Sequence, residues 1–324
     1  MNRKLLVLLS LSLIALVLYR MAGLDFDWSL FRASLWKVQP GWFIVSMLIT
    51  FVTYVSRAFR WQVLLSPVKP VRIGPLFNTN LLGFTGIFVL GRAGEVIRPL
   101  WLTRQEHIPL TASVATIIVE RFVDSLMLVV LFGWALLAVE VPARANGPLT
   151  LMKSAAWVMV GASIAAIIFL FIFRSNIDRI VRYIPFKRVS AALKTFSEGL
   201  SFLHSGSSLG LILVHSIALW ITIALQFWLM LIGMNFNFTF AAATLVMVGA
   251  AIGSIAQIPG IGGGFQAGYA FCMTTFFMVS PEQAIATSLL AWVSSNIPTV
   301  AVTGVYMISH GLSLKDLRAA TVEQ

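Results

Sequence analysis

Three ionisable residues, Glu120, Arg121 and Asp124, interrupt an otherwise apolar run from Pro109 to Val139. An unpaired charge near the centre of a bilayer costs about 2.5–3.5 kcal/mol by the lower estimates. Glu120 and Asp124 are four residues apart and share a helix face, while Arg121 and Asp124 are three apart. Such a stripe must face protein or water. Its nearest partners in sequence are Arg92, Glu95 and Arg98, in Gly91-Arg92-Ala93-Gly94-Glu95-Val96-Ile97-Arg98. One reading is a buried ion-pair network clamping this turn to the helix. The other leaves an arginine for a lipid phosphate, because a guanidinium grips carboxylate and phosphate with the same two-pronged geometry. Arg92 and Arg98 are the candidates for phosphate contact, with Glu95, Glu120, Arg121 and Asp124 as the coupled network.

Glycines supply a second signal. Gly91 and Gly94 mark one turn, and Pro259, Gly260, Gly262, Gly263 and Gly264 mark another. They fit tight turns and close helix packing. They equally fit backbone N–H groups turned toward a cavity that holds an anionic headgroup. Asn78, Asn80, Gln257, Gln266, Ser294, Ser295 and Asn296 are candidate cavity residues, although a helix–helix hydrogen bond explains any one of them. Four scattered histidines and the single Cys272 show no metal-ligand spacing, so no metal is expected. His215 reads as a packed histidine. No nucleotide-binding loop and no serine–histidine pair is evident, so neither a cofactor nor an enzymatic activity is expected.

The elements that must position these residues follow from composition. Of 324 residues, 59% are hydrophobic and 11% charged, against about a quarter charged in a soluble domain. That excludes a soluble enzyme, a disordered chain and a coiled coil. It points to an all-α, polytopic integral membrane bundle. The net charge of +11 sits mostly between apolar runs, so topology and anionic lipid explain it, and no nucleic-acid partner is expected.

Full spans are predicted over Leu5–Tyr19 (as an uncleaved first helix), Trp42–Leu65, Pro109–Val139, Lys153–Phe173, Leu209–Gly233 and Pro281–Ser309. Arg57 and Arg60 are placed on a cytoplasmic turn. Gly74–His107 and Phe240–Val279 read as glycine-broken re-entrant hairpins. Paired interruptions of this kind mark a transporter-like repeat with its site at the breaks. With the N-terminus inside, the cytoplasmic pieces carry 14 Lys+Arg and the outer pieces 5, as the positive-inside rule requires. The hairpins then enter from opposite sides, giving an inverted repeat of span, hairpin, span. A single transmembrane domain results: a first half, 1–173, a basic cytoplasmic linker, 174–208, and a second half, 209–324. The linker is either a plain loop or an amphipathic stretch lying on anionic headgroups.

Arg60-Trp61 with Leu64-Leu65, then Gly91 to Pro99, then Glu120-Arg121 with Asp124, then Ile258-Pro259-Gly260-Ile261-Gly262, resemble the lysylphosphatidylglycerol synthase transmembrane, flippase-like family along nearly the whole chain. The resemblance implies lipid handling, in the best-known relatives the movement of aminoacylated phosphatidylglycerol between leaflets. The aminoacyl-transfer domain of those relatives is a separate soluble module. This chain runs only about 15 residues past its last span, so that module is expected to be absent. Relatives often carry an acidic residue shortly after the second glycine turn, where this chain has Gln266.

The expectation is a protein of the inner (plasma) membrane, both termini cytoplasmic, that binds and translocates an anionic or aminoacylated phospholipid or a lipid-linked precursor. The alternative is a non-transporting subunit supporting a separate lipid or glycolipid synthase.

Overall fold

The computed structural model describes residues 26–140, 146–184, 186–200, 205–258, 260 and 262–311. The span expected over Leu5–Tyr19 lies outside these residues. The rest is helical: α1 (Trp28–Trp36), α2 (Pro40–Leu65), α3 (Ile73–Leu90), a 3-10 turn (Gly91–Val96), α4 (Ile97–Glu106) and α5 (Leu110–Ala138). Next come α6 (Asn146–Ser175), α7 (Ile177–Arg182), α8 (Lys187–Glu198), α9 (Gly206–Gly233), α10 (Phe240–Gly253), α11 (Gly264–Phe277) and α12 (Pro281–Ser309). A two-residue antiparallel pairing, Gln257–Ile258 with Gly262–Gly263, closes the turn between α10 and α11.

Helix starts follow the sequence chemistry. Pro40 and Pro281 occupy first-turn positions, where a missing N–H costs nothing. Ser280 caps α12 by accepting from Gln283 N. Asp27 caps α1, accepting from the Ser29 hydroxyl and from the backbone of Ser29 and Leu30, and these bonds hold its carboxyl below the usual range. Pro109 is the N-cap of α5 rather than its first helical residue. Helix α1 falls in a stretch the sequence reading left as an outer loop. The linker is likewise built of two short helices, α7 and α8.

The packing is that of a protein whose solvent is lipid. Helices α2, α3, α9 and α12 are long and apolar enough to cross a membrane. On α2, Ile44, Leu48, Val52, Val55 and Phe59 are exposed at spacings of three and four, while Ser46, Thr50, Thr53 and Arg60 are buried. Apolar groups face outward because lipid imposes no cost on them. Polar groups face inward because only protein can satisfy them.

Helix ends gather at two opposite faces. Gln39 N donates to Gly233 O at 2.7 Å and Asp27 N to Glu282 Oε1 at 3.4 Å, joining the starts of α1, α2 and α12 to the end of α9. At the other face Lys69 Nζ donates to Glu106 O at 2.6 Å, and Gly199, just past α8, packs on Ala112 near the start of α5. Helices α2 and α9 therefore run antiparallel, side by side.

Each glycine-broken segment folds back on itself through glycine contacts. A Cβ on Gly94 would overlap the backbone of Gly86, closing α3 against the following turn. In the second hairpin a Cβ on Gly253 would overlap the Gly264 carbonyl oxygen, and one on Gly268 that of Gly249. The pairs Gly249/Gly253 and Gly264/Gly268 thus form facing small-xxx-small strips that let two helix backbones touch. Gly91, Gly260, Gly262 and Gly263 adopt φ of 65°, 73°, 93° and 72°, a region closed to most side chains. The two turns meet: Gly260 N donates to Phe88 O at 2.7 Å.

Candidate functional site

Helix α5 carries its charges one turn apart at mid-length, and arginines from α2 and α4 reach them. Arg60 grips Asp124 with both prongs, Nη1 to Oδ1 at 2.6 Å and Nη2 to Oδ2 at 3.3 Å. Its Nη2 also lies 3.3 Å from Glu120 Oε1. Arg98 grips Glu120 the same way, at 3.0 and 3.1 Å. Arg121 Nη2 donates to Glu120 Oε1 at 2.9 Å. Trp220 Nε1 donates to Asp124 at 3.1 Å. The two-pronged geometry satisfies both partners where water cannot, which is the condition for a buried pair to be tolerated.

Local structure explains how Arg98 gets there. A Cβ on Gly83 would overlap Arg98 Cγ, so this glycine opens the groove in α3 along which the side chain passes. Its guanidinium then lies over the Trp61 ring, 4.6 Å from the centroid. Arg57 sits one turn before Arg60 on α2 and lies over Phe84, 4.8 Å from the centroid.

Beside this network, where the hairpin turns meet, is a cavity of about 380 Å³, within the ordinary small-molecule range of ~300–1,000 Å³. Arg57, Arg121, Glu95 and Asp124 line it, as do the neutral polar residues Gln226, Ser295 and Asn296. Phe88 and Trp292, with rings 5.1 Å apart, also line it. The side chains of Arg57 and Arg121 are 12% and 39% exposed, whereas those of Arg98 and Glu120 are 2% and 0% exposed. Arg57 Nη1 is 3.9 Å from the nearest Glu120 oxygen and has no hydrogen bond among the described residues.

The structure thus brings Glu95, Arg98, Glu120, Arg121 and Asp124 to one place but divides their roles. Arg98, expected to contact phosphate, has both terminal nitrogens on Glu120 and does not line the cavity. The side chains of Arg92 and Gln257, and all of Pro259, lie outside the described residues. Asn296 lines the cavity. Asn80 is fully buried and Asn78 half-buried in α3, and neither reaches the cavity. Gln266 packs against Gly262, where a Cβ would crowd its amide.

Arg57 and Arg60 correct the sequence reading most sharply. The span was expected to run to Leu65, as α2 does, but both arginines lie within that helix rather than on a turn, and Arg60 is completely buried. Their spacing of three inside an apolar run is the same signal that flagged Glu120 and Asp124. Gln226, a lone amide in the apolar run of α9, carried a comparable signal and was passed over.

Residues 7–302 match the family described as lysylphosphatidylglycerol synthase TM region. The chain belongs to the lysylphosphatidylglycerol synthase transmembrane family. No curated protein and no solved structure matches it at a significant level. Membership and the apolar helices together make this family member a multi-pass integral membrane protein of lipid-related function. The quartet Arg60, Arg98, Glu120 and Asp124 is its structural clamp, and Arg57 and Arg121 are the cations that the clamp leaves facing the cavity.

Proposed function

We propose that this protein binds the headgroup of an anionic phospholipid in the cavity and carries it between leaflets. One observation carries the reading: Arg57 and Arg121 reach a cavity at the meeting point of two glycine-broken hairpins, deep in an apolar bundle. A phosphate gains most from a guanidinium where water is scarce, and Arg57 Nη1, which has no hydrogen bond among the described residues, is otherwise costly in an apolar bundle. In this reading the hairpins are re-entrant and the two halves form an inverted repeat, which is supported by the antiparallel pairing of α2 with α9, each followed by a hairpin. The face bearing Lys69, Arg72, Arg104 and the basic α7–α8 segment is cytoplasmic by the positive-inside rule.

The test is a liposome assay with fluorescent phosphatidylglycerol, comparing wild type with the Arg57→Gln/Arg121→Gln double variant beside a thermal melt. The expected result is lost translocation with the melting temperature held within a few degrees. Full translocation by the double variant removes the reading. Arginine-dependent binding without translocation by the wild type would fit a non-transporting subunit instead.

A further inference from the structure

We infer that the cavity selects a phospholipid whose headgroup beyond the phosphate is uncharged and hydroxyl-bearing, such as glycerol or a cyclitol, and rejects aminoacylated or quaternary-ammonium headgroups. This rests on the lipid-binding reading above and specifies its substrate.

The first argument is charge. Among the described residues, four arginines (Arg57, Arg60, Arg98, Arg121) stand against three carboxylates (Glu95, Glu120, Asp124) in and behind the cavity lining. A bound phosphate neutralises the excess, and a headgroup ammonium would restore it. An ammonium would also need a carboxylate to receive it. Asp124 already accepts from Arg60 and Trp220. Glu95 lies within electrostatic reach of Arg121. Glu120 does not line the cavity.

The second argument is the neutral polar part of the lining. Gln226 spends its Nε2 on Thr50 Oγ1 at 2.8 Å and Ser295 Oγ at 3.3 Å. Asn296 donates one of its two Nδ2 hydrogens to Trp292 O at 2.9 Å. Neither amide oxygen takes part in these bonds and Asn296 keeps one N–H, so hydroxyl groups, which both donate and accept, match this lining without adding charge.

The experiment measures binding of short-chain lipids to the purified full chain in detergent. The probes are phosphatidylglycerol, lysyl-phosphatidylglycerol, phosphatidylcholine and phosphatidic acid, the last carrying phosphate and no further headgroup. Wild type is expected to bind phosphatidylglycerol at least about tenfold more tightly than the lysyl and choline lipids, or about 1.4 kcal/mol. The hydrogen bond that Asn296→Leu removes lies within α12. It is expected to weaken phosphatidylglycerol about three- to tenfold, the worth of one hydrogen bond, and to leave phosphatidic acid unchanged. If the lysyl or choline lipid binds as tightly as phosphatidylglycerol, and all binding disappears in Arg57→Gln/Arg121→Gln, the headgroup selection is wrong and the phosphate site stands. If no lipid's binding depends on these arginines, both readings fall together.

Discussion

Six charged side chains on α2, α4 and α5 share one network, yet burial sorts them into two kinds. Arg98 is 2% exposed and held two-pronged by Glu120, so Arg98→Ala strands a buried carboxylate. Removing one partner of a buried pair costs about 3–5 kcal/mol. The lower end applies here, because Arg60 and Arg121 still face Glu120. A clear fall in melting temperature and folded yield is expected. Arg121 is 39% exposed, and Glu120 keeps Arg60 and Arg98 without it. Arg121→Gln should therefore cost clearly less stability than Arg98→Ala and should show its effect in lipid binding. A thermal melt of the two variants side by side separates these expectations. At the Arg60–Asp124 pair, Asp124→Leu alone leaves Arg60 with one carboxylate. Asp124→Leu with Arg60→Met removes both charges and should recover much of the lost stability.

Helix pairs in lipid gain nothing from burying apolar surface, so close backbone contact must take over that role. The α10–α11 hairpin shows this directly, because its glycines meet carbonyl to backbone with no space for a methyl group. Gly253→Val is expected to force the arms apart and sharply reduce folded yield in detergent. Gly161 on α6 meets nothing within 4 Å and faces outward, so Gly161→Ala should be neutral. Size-exclusion profiles of both variants provide the comparison. Loss with Gly161→Ala, or none with Gly253→Val, would break the argument from packing.

At the scale of the whole molecule, the basic residues of the loops and short helices concentrate at the face holding Lys69, Arg72, Arg104 and α7–α8, and this sets the expected orientation. The single cysteine, Cys272, is fully buried, so it contributes little background to a thiol-labelling experiment. Ser207 is exposed at the start of α9. Ser207→Cys should resist an impermeant thiol reagent in intact cells and react once the membrane is opened. Labelling in intact cells would invert the orientation.

The membrane class, most helix ranges and both glycine-broken turns were legible in the sequence, because they depend on local quantities. Hydropathy over about twenty residues, proline at a helix start and glycine at a turn act within their own segments. Glu120 and Asp124 were legible as a buried stripe for the same reason, since a charge inside an apolar run must find a partner. Which partner it finds is not local. Arg98 and Arg92 were nearest in sequence, but Arg60 comes from 64 residues before Asp124 and meets it at 2.6 Å. Helix α2 had to be packed against α5 and α9 before that pairing could exist. The assignment of Arg98 to the clamp, and of Arg57 and Arg121 to the cavity, was made by the tertiary structure alone. Burial decides which guanidinium a carboxylate consumes and which is left facing open space, and burial is a property of the packed bundle.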